Sequence, residues 1–464
     1  MKNNTFDIIN PYTHKLVGSA DSTSPEQVEM ILSNSHNTKL QYSPLERAEL
    51  LIKVASRLDQ KKQEFANIIT SESGLCLKDT LIEVDRTIDV ARYSALVAER
   101  MDKDITPDYV LNNQYLKPKL NVITEPIDLA ASITPFNHPL NQVAHKVFPA
   151  LAAGACIVVK PSEKTPLAAI ALRELLIDIG IDENFYNLIL DNQPEKIVSN
   201  MLSYDFIDLL SFTGGYDVGR KVQLIIAKTS KNFIKYIPEL GGCSSLIVNN
   251  DADIDLAVEN AVIGCFKNSG QRCTAVRKVI VINDIANIFI DKMKNAISKI
   301  SYGNPYDTDM DMGTLISSNA ADKVEKRVNK AIEDGADLIT GNIRDDALYS
   351  PTLLDNVPID TELAIEETFG PICPVIRAKT IQDAVNISNL TGYRLAGAII
   401  TQNKEVACQV SNTLKVGQFS WNGVPGYRKE YAPFGGFRKS GNGEKEGVIC
   451  FANSLRRIRT FYEH

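Results

Sequence analysis

From Pro44 to Gly74, apolar residues return every three or four positions through LERAELLIKVASRLDQKKQEFANIITSESG. That spacing lines one face of a helix, and Gly74 is the stop signal. A second helix is predicted over LKDTLIEVDRTIDVARYSALVAERM. The pattern then changes. Short apolar runs, ACIVVK, YNLIL, DLLSFTG and IKYIPELGG, alternate with helical stretches after Pro166, through EKIVSNML and through VGRKVQLIIAK. Such alternation predicts βαβ units around a parallel sheet. The series restarts after Gly242 with SSLIVN, the helix DIDLAVENAVIGCF, VRKVIVI, the helix IANIFIDKMKNAISKI, and then ADLITG, CPVIRA and AGAIIT, which reads as a second α/β domain. Two segments fit neither series: QYLKPKLNVITEPI and SLRRIRTFYEH are β-like, with strand edges open to pairing with another subunit. There is no internal repeat and no low-complexity tract.

A chain of 464 residues accommodates two or three domains with sizeable cores. Its formal charge of -7 leaves no basic excess for a phosphate backbone, which argues against nucleic-acid binding. The start, MKNNTFDIINPYTHK, is polar, and no apolar run approaches the length of a membrane span, so no membrane association is expected and the expected location is the cytoplasm. Eight cysteines are scattered without a C-x-x-C pair, a usage that fits a reducing compartment and predicts neither disulfides nor structural zinc.

Chemistry concentrates at FKNSGQRCTAVRK, where Cys273 stands in a polar, glycine-bearing setting with Arg272, Arg277 and Lys278 nearby. Cations favour the thiolate, the form that attacks a carbonyl carbon. Thirty-four residues earlier Glu239 lies in ELGG. Asn137, in the loop TPFNHPLNQVAHK, offers an amide donor to an oxyanion or is simply a turn residue, and His138 and His145 lack the helical spacing of a metal site. In DLLSFTGGYDVGRK, Gly214, Gly215 and Gly219 form either a phosphate cradle or a tight turn; the run is neither a Walker A loop nor G-x-G-x-x-G. KPSEKTP follows a strand, so Lys160 and Glu163 can meet a ribose, or Ser162 can cap a helix. Gly441, Gly443 and Gly447 have no strand before them and read as a structural loop, and the acids of EETFGP read as a solvated turn. No G-x-S-x-G occurs, which removes a serine hydrolase, and the local signatures of Cys-His proteases are absent.

Taken in order, TPFN, KPSEKTP, FTGG, ELGG, GQRC, EETFGP and PFGGFRKSG resemble the NAD(P)-dependent aldehyde dehydrogenase superfamily over essentially the whole chain. The resemblance implies an α/β fold of two doubly wound domains, a Rossmann-like cofactor domain at 1–109 and 128–241 and a catalytic domain at 242–432. It also implies a β oligomerisation arm at 110–127 and 448–464, joining subunits as a homodimer or homotetramer. By motif, Cys273 resembles the nucleophile, Glu239 the general base and Asn137 the oxyanion donor, while Lys160, Ser162, Glu163, Gly214, Gly215, Gly219, Leu240, Gly241, Glu367 and Phe369 match cofactor contacts. Glu163 at the ribose position favours NAD over NADP, because a carboxylate accepts from a free 2′-hydroxyl and repels a 2′-phosphate. Glu239 implies hydrolysis of a thioester rather than its transfer to CoA. Arg86, His138, Arg272 and Arg428 fall at substrate positions and suit an anionic aldehyde. TPFNHPLNQVAHK, KNSGQRCTAVRK, ALYSPT and PGYR are similar to phosphonoacetaldehyde dehydrogenases, so oxidation of phosphonoacetaldehyde to phosphonoacetate is the expected reaction. The alternatives are succinate-semialdehyde or lactaldehyde dehydrogenase activity, and a catalytically silent nucleotide-binding scaffold.

Overall fold

A computed structural model describes residues 5–101 and 119–464; the expected oligomerisation segment lies outside them up to residue 118. The first long helical pattern is broken at Lys61 into two helices, Pro44–Gln60 and Lys62–Ser73. Lys61 leaves helical geometry at φ -103 and ψ 16, within the polar run DQKKQE, where no buried face holds the chain straight. Gly74 ends the second helix in the left-handed region at φ 72, and a side chain there would collide with Thr314. Leu77–Ala98 forms the other predicted helix.

Two sheets organise the molecule. Five parallel strands lie in the order Tyr186–Leu188, Cys156–Lys160, Leu129–Ile133, Leu209–Thr213 and Lys235–Glu239. The second sheet has seven strands, running from Asp337–Thr340 through Thr352–Asp355, Ile372–Ala378, Val276–Ile282, Ser244–Val248 and Ala396–Ile400 to Gln418–Trp421. All of its pairs are parallel except the first. In the five-stranded sheet Lys160 and Glu239 lie at the carboxyl ends of their strands, where ligands of parallel sheets bind, whereas in the seven-stranded sheet Cys273 and Glu367 precede the strands Val276–Ile282 and Ile372–Ala378. Lys119–Pro126 and Arg456–Glu463 pair antiparallel in a two-stranded ribbon. Just before it, Val448–Ser454 is a helix whose Val448, Phe451 and Ala452 pack into the first core.

The helix Asn141–Ala153 is buried at every position and carries Pro149 inside it. Its polar residues Asn141, Gln142, His145 and Lys146 share one side but are buried like the rest, so that side faces protein rather than solvent. Another buried acid, Glu72, accepts the first two N–H groups of the helix Leu167–Asp178, from Leu167 at 2.7 Å and Ala168 at 3.2 Å. Burial pushes its carboxyl up to about 8 from an ordinary 4.5. The folded state therefore holds this proton more tightly than the unfolded chain, so the stability it contributes is complete below about pH 4.5 and is lost as pH rises towards 8. Glu72→Gln should flatten the fall of Tm between pH 5 and pH 8, measured by thermal unfolding; an unchanged slope would assign that fall to other groups.

Candidate active site

The helix Ile254–Phe266 runs into a turn at Lys267–Gly270 in which Asn268, Ser269 and Gly270 have φ of 59, 52 and 70. Left-handed geometry at two non-glycine residues is strained, and the surroundings hold it. Asp79 accepts from Asn268 N at 2.7 Å, Ser269 Oγ donates to Gly313 O at 3.0 Å, and a side chain at Gly270 would collide with Gly370 O. Three residues later comes Cys273, packed against Leu395, Ala396 and Phe434. Asn137 Nδ2 donates to Gln271 O at 2.8 Å, and Asn268 Nδ2 donates to Asn137 O at 3.1 Å. The turn thus fixes Asn137 beside the loop that bears the cysteine.

The sequence predicts a thiolate favoured by cations; the buried environment reverses this. The Cys273 thiol is pushed up to about 12, first by burial and then by Glu239 and Glu367, against the opposing pull of Arg428 and Arg272. Desolvation outweighs the arginines, and the resting group is a neutral thiol. Arg272 is itself pushed down to about 10 by burial, and its Nη2 is engaged by carbonyls at the end of the preceding helix, Ile263 O at 2.7 Å and Gly264 O at 2.9 Å. Its Nε is buried without a partner.

Glu239 closes the strand Lys235–Glu239. Burial, then the nearby Glu446 carboxylate, raises its carboxyl well above the ordinary range, partly offset by Lys146, Arg428 and Lys445. Its Oε1 has no hydrogen-bond partner. The loop before the last helix folds back over ELGG: Leu240 N donates to Ser440 O at 3.1 Å, and Ser440 Oγ donates to Gly241 O at 2.7 Å. This reconciles the structural-loop reading of that glycine run with its closeness to the chemistry. Glu446 also receives the Ser211 hydroxyl at 3.0 Å and pairs with Lys146. Sequence reasoning missed both Lys146 and Glu446. A lysine within the apolar helix AHKVFPALAA was the available signal, since lysine is rarely buried unpaired.

A second missed pair organises the expected substrate arginines. Glu430, buried, accepts from Arg86 Nε at 2.7 Å and from His145 Nε2 at 2.6 Å. Burial and the neighbouring Arg428 push His145 down to about 4, so the ring is neutral, with its proton on Nε2 and its free Nδ1 facing Arg428 Nη2 at 3.4 Å. Arg428 stacks on Phe434, 4.2 Å from the ring centre, the same ring that packs against Cys273. Arg86 and Arg428 thus share the Glu430 carboxylate near the thiol, with Glu83 also acting on Arg86 and Glu446 and Glu239 on Arg428. Among the described residues, the terminal nitrogens of Arg86 have no protein acceptor. His138 lies near but belongs to another acid, its Nδ1 3.3 Å from Glu83 Oε2, while Glu83 also accepts from Leu140 N and Asn141 N.

The cofactor candidates divide. Lys160 and Glu163 form an ion pair at 3.2 Å beyond the strand Cys156–Lys160. Ser162 does not cap the next helix, which starts at Leu167; its Oγ accepts from Lys164 N in a separate turn, and Glu72 does the capping. Of the three glycines, a side chain at Gly214 would press on Phe212 and one at Gly219 on Leu240, so these two serve internal packing. Gly215 is different: it is the N-cap of the helix Tyr216–Thr229, without a side-chain cap, and no atom lies within 4 Å of the space a side chain would take. That leaves helix N–H groups open to a phosphate. Glu367 is drawn into the site rather than solvated: its Oε1 accepts from Gly242 N at 3.0 Å, and a side chain at Gly241 would collide with its carboxylate. Phe369 meets Phe136 edge-on, their ring centres 5.9 Å apart. An open helix start, a carboxylate beyond the carboxyl end of a strand, and an acid with an aromatic ring near the cysteine fit a nicotinamide dinucleotide. Among the described residues no cluster of three metal-ligating side chains occurs, and no helix is long and apolar enough to cross a membrane.

Comparison with known proteins agrees with this geometry. The family model described as "Aldehyde dehydrogenase family" matches residues 1–459. A lactaldehyde dehydrogenase of Methanococcus vannielii is 36% identical over 467 residues, covering 99% of this chain and 97% of the relative. A 3-sulfolactaldehyde dehydrogenase of Priestia megaterium is 32% identical, covering 95% and 91%. The crystal structure of the glyceraldehyde-3-phosphate dehydrogenase GapN from Methanocaldococcus jannaschii, complexed with NADP, superposes with a TM-score of 0.91 at 32% identity, covering 99% of each chain.

Proposed function

The chain belongs to the aldehyde dehydrogenase family and is an NAD(P)-dependent aldehyde dehydrogenase; on that premise we propose that it oxidises a short aldehyde with a terminal oxyanion to the corresponding acid. The observation that carries the anionic substrate is that Arg86 and Arg428 share the one buried carboxylate of Glu430, while the terminal nitrogens of the partly exposed Arg86 have no protein acceptor among the described residues. Guanidinium donors left open in a partly desolvated site gain from a substrate anion that accepts from them.

Cys273 adds to the aldehyde carbon as a thiolate. Its proton has a nearby acceptor in Glu239, whose raised affinity suits the task. Asn137 Nδ2 and the Cys273 N–H hold the developing alkoxide, a term that ranks among the largest in acyl chemistry. When bound, the nicotinamide supplies the hydride acceptor. Lys160 and Glu163 would hold the adenosine ribose of the bound dinucleotide, the helix start at Gly215 its pyrophosphate, and Glu367 and Phe369 its nicotinamide end. Glu239 passes the thiol proton to solvent and then deprotonates the water that attacks the thioester carbon, and Cys273 leaves as the thiolate. Glu163 favours NAD by the argument from a free 2′-hydroxyl.

Phosphonoacetaldehyde is one member of the proposed substrate class and the first to test. The relatives described above are named for lactaldehyde and 3-sulfolactaldehyde and lend the phosphonate no support of their own. The test is kcat/KM for phosphonoacetaldehyde, 3-sulfolactaldehyde, succinate semialdehyde and lactaldehyde with NAD and NADP. Preference for neutral lactaldehyde over every anionic aldehyde would overturn the anion site. Arg86→Ala and Arg428→Ala should each lower kcat/KM for anionic aldehydes about 10- to 100-fold, mostly through KM, because a charge-assisted hydrogen bond is worth about 1.5–3 kcal/mol. Equal losses on lactaldehyde would indicate structural damage.

We assign subunit pairing, as a dimer or tetramer, to the ribbon, whose Ile458, Phe461 and Tyr462 are exposed. The cofactor domain is assigned to 1–109 and 128–241, and the catalytic domain to 242–432.

A further inference from the structure

Arg277 lies on the strand Val276–Ile282 and is buried, yet its Nε has no hydrogen-bond partner. Burying a guanidinium with one donor unsatisfied is costly, and packing alone would favour an apolar residue. Two of its other four N–H donors go to carbonyls. Nη2 donates to Arg272 O at 2.8 Å, and Nη1 donates to Gly370 O at 3.3 Å. The guanidinium also faces the Phe369 ring, 5.3 Å from its centre, and Glu367 is its main electrostatic partner.

The first of these carbonyls belongs to the peptide that joins Arg272 to Cys273. Its oxygen receives a second donor, Ala275 N at 3.1 Å, while its N–H has no protein acceptor among the described residues. Charged donors on a carbonyl draw electron density towards oxygen and make the N–H at the other end of the same peptide a stronger donor. We propose that Arg277 is a positioning residue for the oxyanion: it orients and polarises the Arg272–Cys273 peptide so that the Cys273 N–H binds the alkoxide more strongly. Through Gly370 O and Phe369 the same side chain ties that peptide to the segment that holds the nicotinamide end. This rests on Cys273 being the nucleophile, which Cys273→Ala tests separately.

The test uses Arg277→Gln and Arg277→Lys in the full chain. Four quantities are read: the single-turnover rate of NADH formation, the KM of the aldehyde, the dissociation constant of the cofactor, and the rate at which iodoacetamide alkylates Cys273. Alkylation is a displacement at saturated carbon and forms no oxyanion. Losing an oxyanion donor outright costs about 10²–10³ in kcat. Weakening one through its peptide should therefore lower the single-turnover rate of Arg277→Gln about 10- to 100-fold, with the other three quantities within about twofold. Arg277→Lys keeps a charged donor and should recover at least about threefold of that loss. An unchanged single-turnover rate in both variants overturns the proposal, as does a fall of alkylation and cofactor affinity in step with turnover. If Arg277→Gln does not accumulate folded, Arg277→Lys is read alone: slowed turnover with unchanged alkylation supports the role, and a parallel loss or no loss overturns it.

Discussion

Cys273→Ala should lower steady-state aldehyde oxidation by about 10⁴-fold or more while leaving cofactor affinity within about twofold. In the proposed mechanism the Cys273 thiol is the group that bonds to the carbonyl carbon. Alanine removes it while keeping a small apolar contact with Leu395, Ala396 and Phe434. The resting state of this thiol makes a second, independent prediction. Because burial with Glu239 and Glu367 holds it at about 12, the thiolate fraction is small at neutral pH and increases with pH. Alkylation of Cys273 in the wild-type protein without cofactor should therefore speed up continuously from pH 6 to pH 9. A plateau near pH 7 would mean that Arg272 and Arg428 outweigh burial after all. Turnover surviving in Cys273→Ala would remove the covalent mechanism.

The places of Asn137, Glu239 and Cys273 in the chain were readable because turn signals are local: Asn137 and Cys273 stand in polar turns and Glu239 ends a strand before two glycines, and their chemical roles are what Cys273→Ala and Glu239→Gln test. The two sheets were legible for the same reason, since runs such as ACIVVK and VRKVIVI are strands buried on both faces. What escaped is non-local. Lys146 and Glu446 are 300 residues apart, His145 and Glu430 are 285 apart, and Arg86 and Glu430 are 344 apart, so nothing in a window of sequence pairs them. The two carboxylates decide what the basic residues can do: Glu430 is shared by Arg86 and Arg428, and Glu446 pairs with Lys146. The thiol's direction of shift was misread on the same ground. Neighbouring arginines are visible in GQRCTAVRK, whereas desolvation belongs to the fold. Glycine roles were half legible, for DLLSFTGGYDVG marks a turn, but only the packing of Phe212 and Leu240 separates Gly214 and Gly219 from the open Gly215.

Glu239→Gln should give a burst of NADH near one equivalent per active site, followed by steady-state turnover about 10²–10⁴-fold below wild type. Glutamine keeps the size of the side chain and leaves the Lys146–Glu446 pair in place, but it cannot take a proton from water, so the thioester on Cys273 persists. The environment of Glu239 fixes the sign of the pH dependence. Its carboxyl is raised above the ordinary range, first by burial and then by Glu446, and only the ionised form is a base. Wild-type kcat should therefore rise with pH through that raised value where hydrolysis limits turnover, and Glu239→Gln should lose this rise. The substitution also removes a negative charge that opposes the thiolate. At pH 9 Cys273 should then be alkylated faster in Glu239→Gln than in wild type, although turnover is slower. Because unfolding would also expose the thiol and speed its alkylation, the comparison is read with the Tm and cofactor affinity of Glu239→Gln shown to match wild type. Full steady-state activity in Glu239→Gln would exclude this carboxylate as the base and transfer the role to another acid in the site.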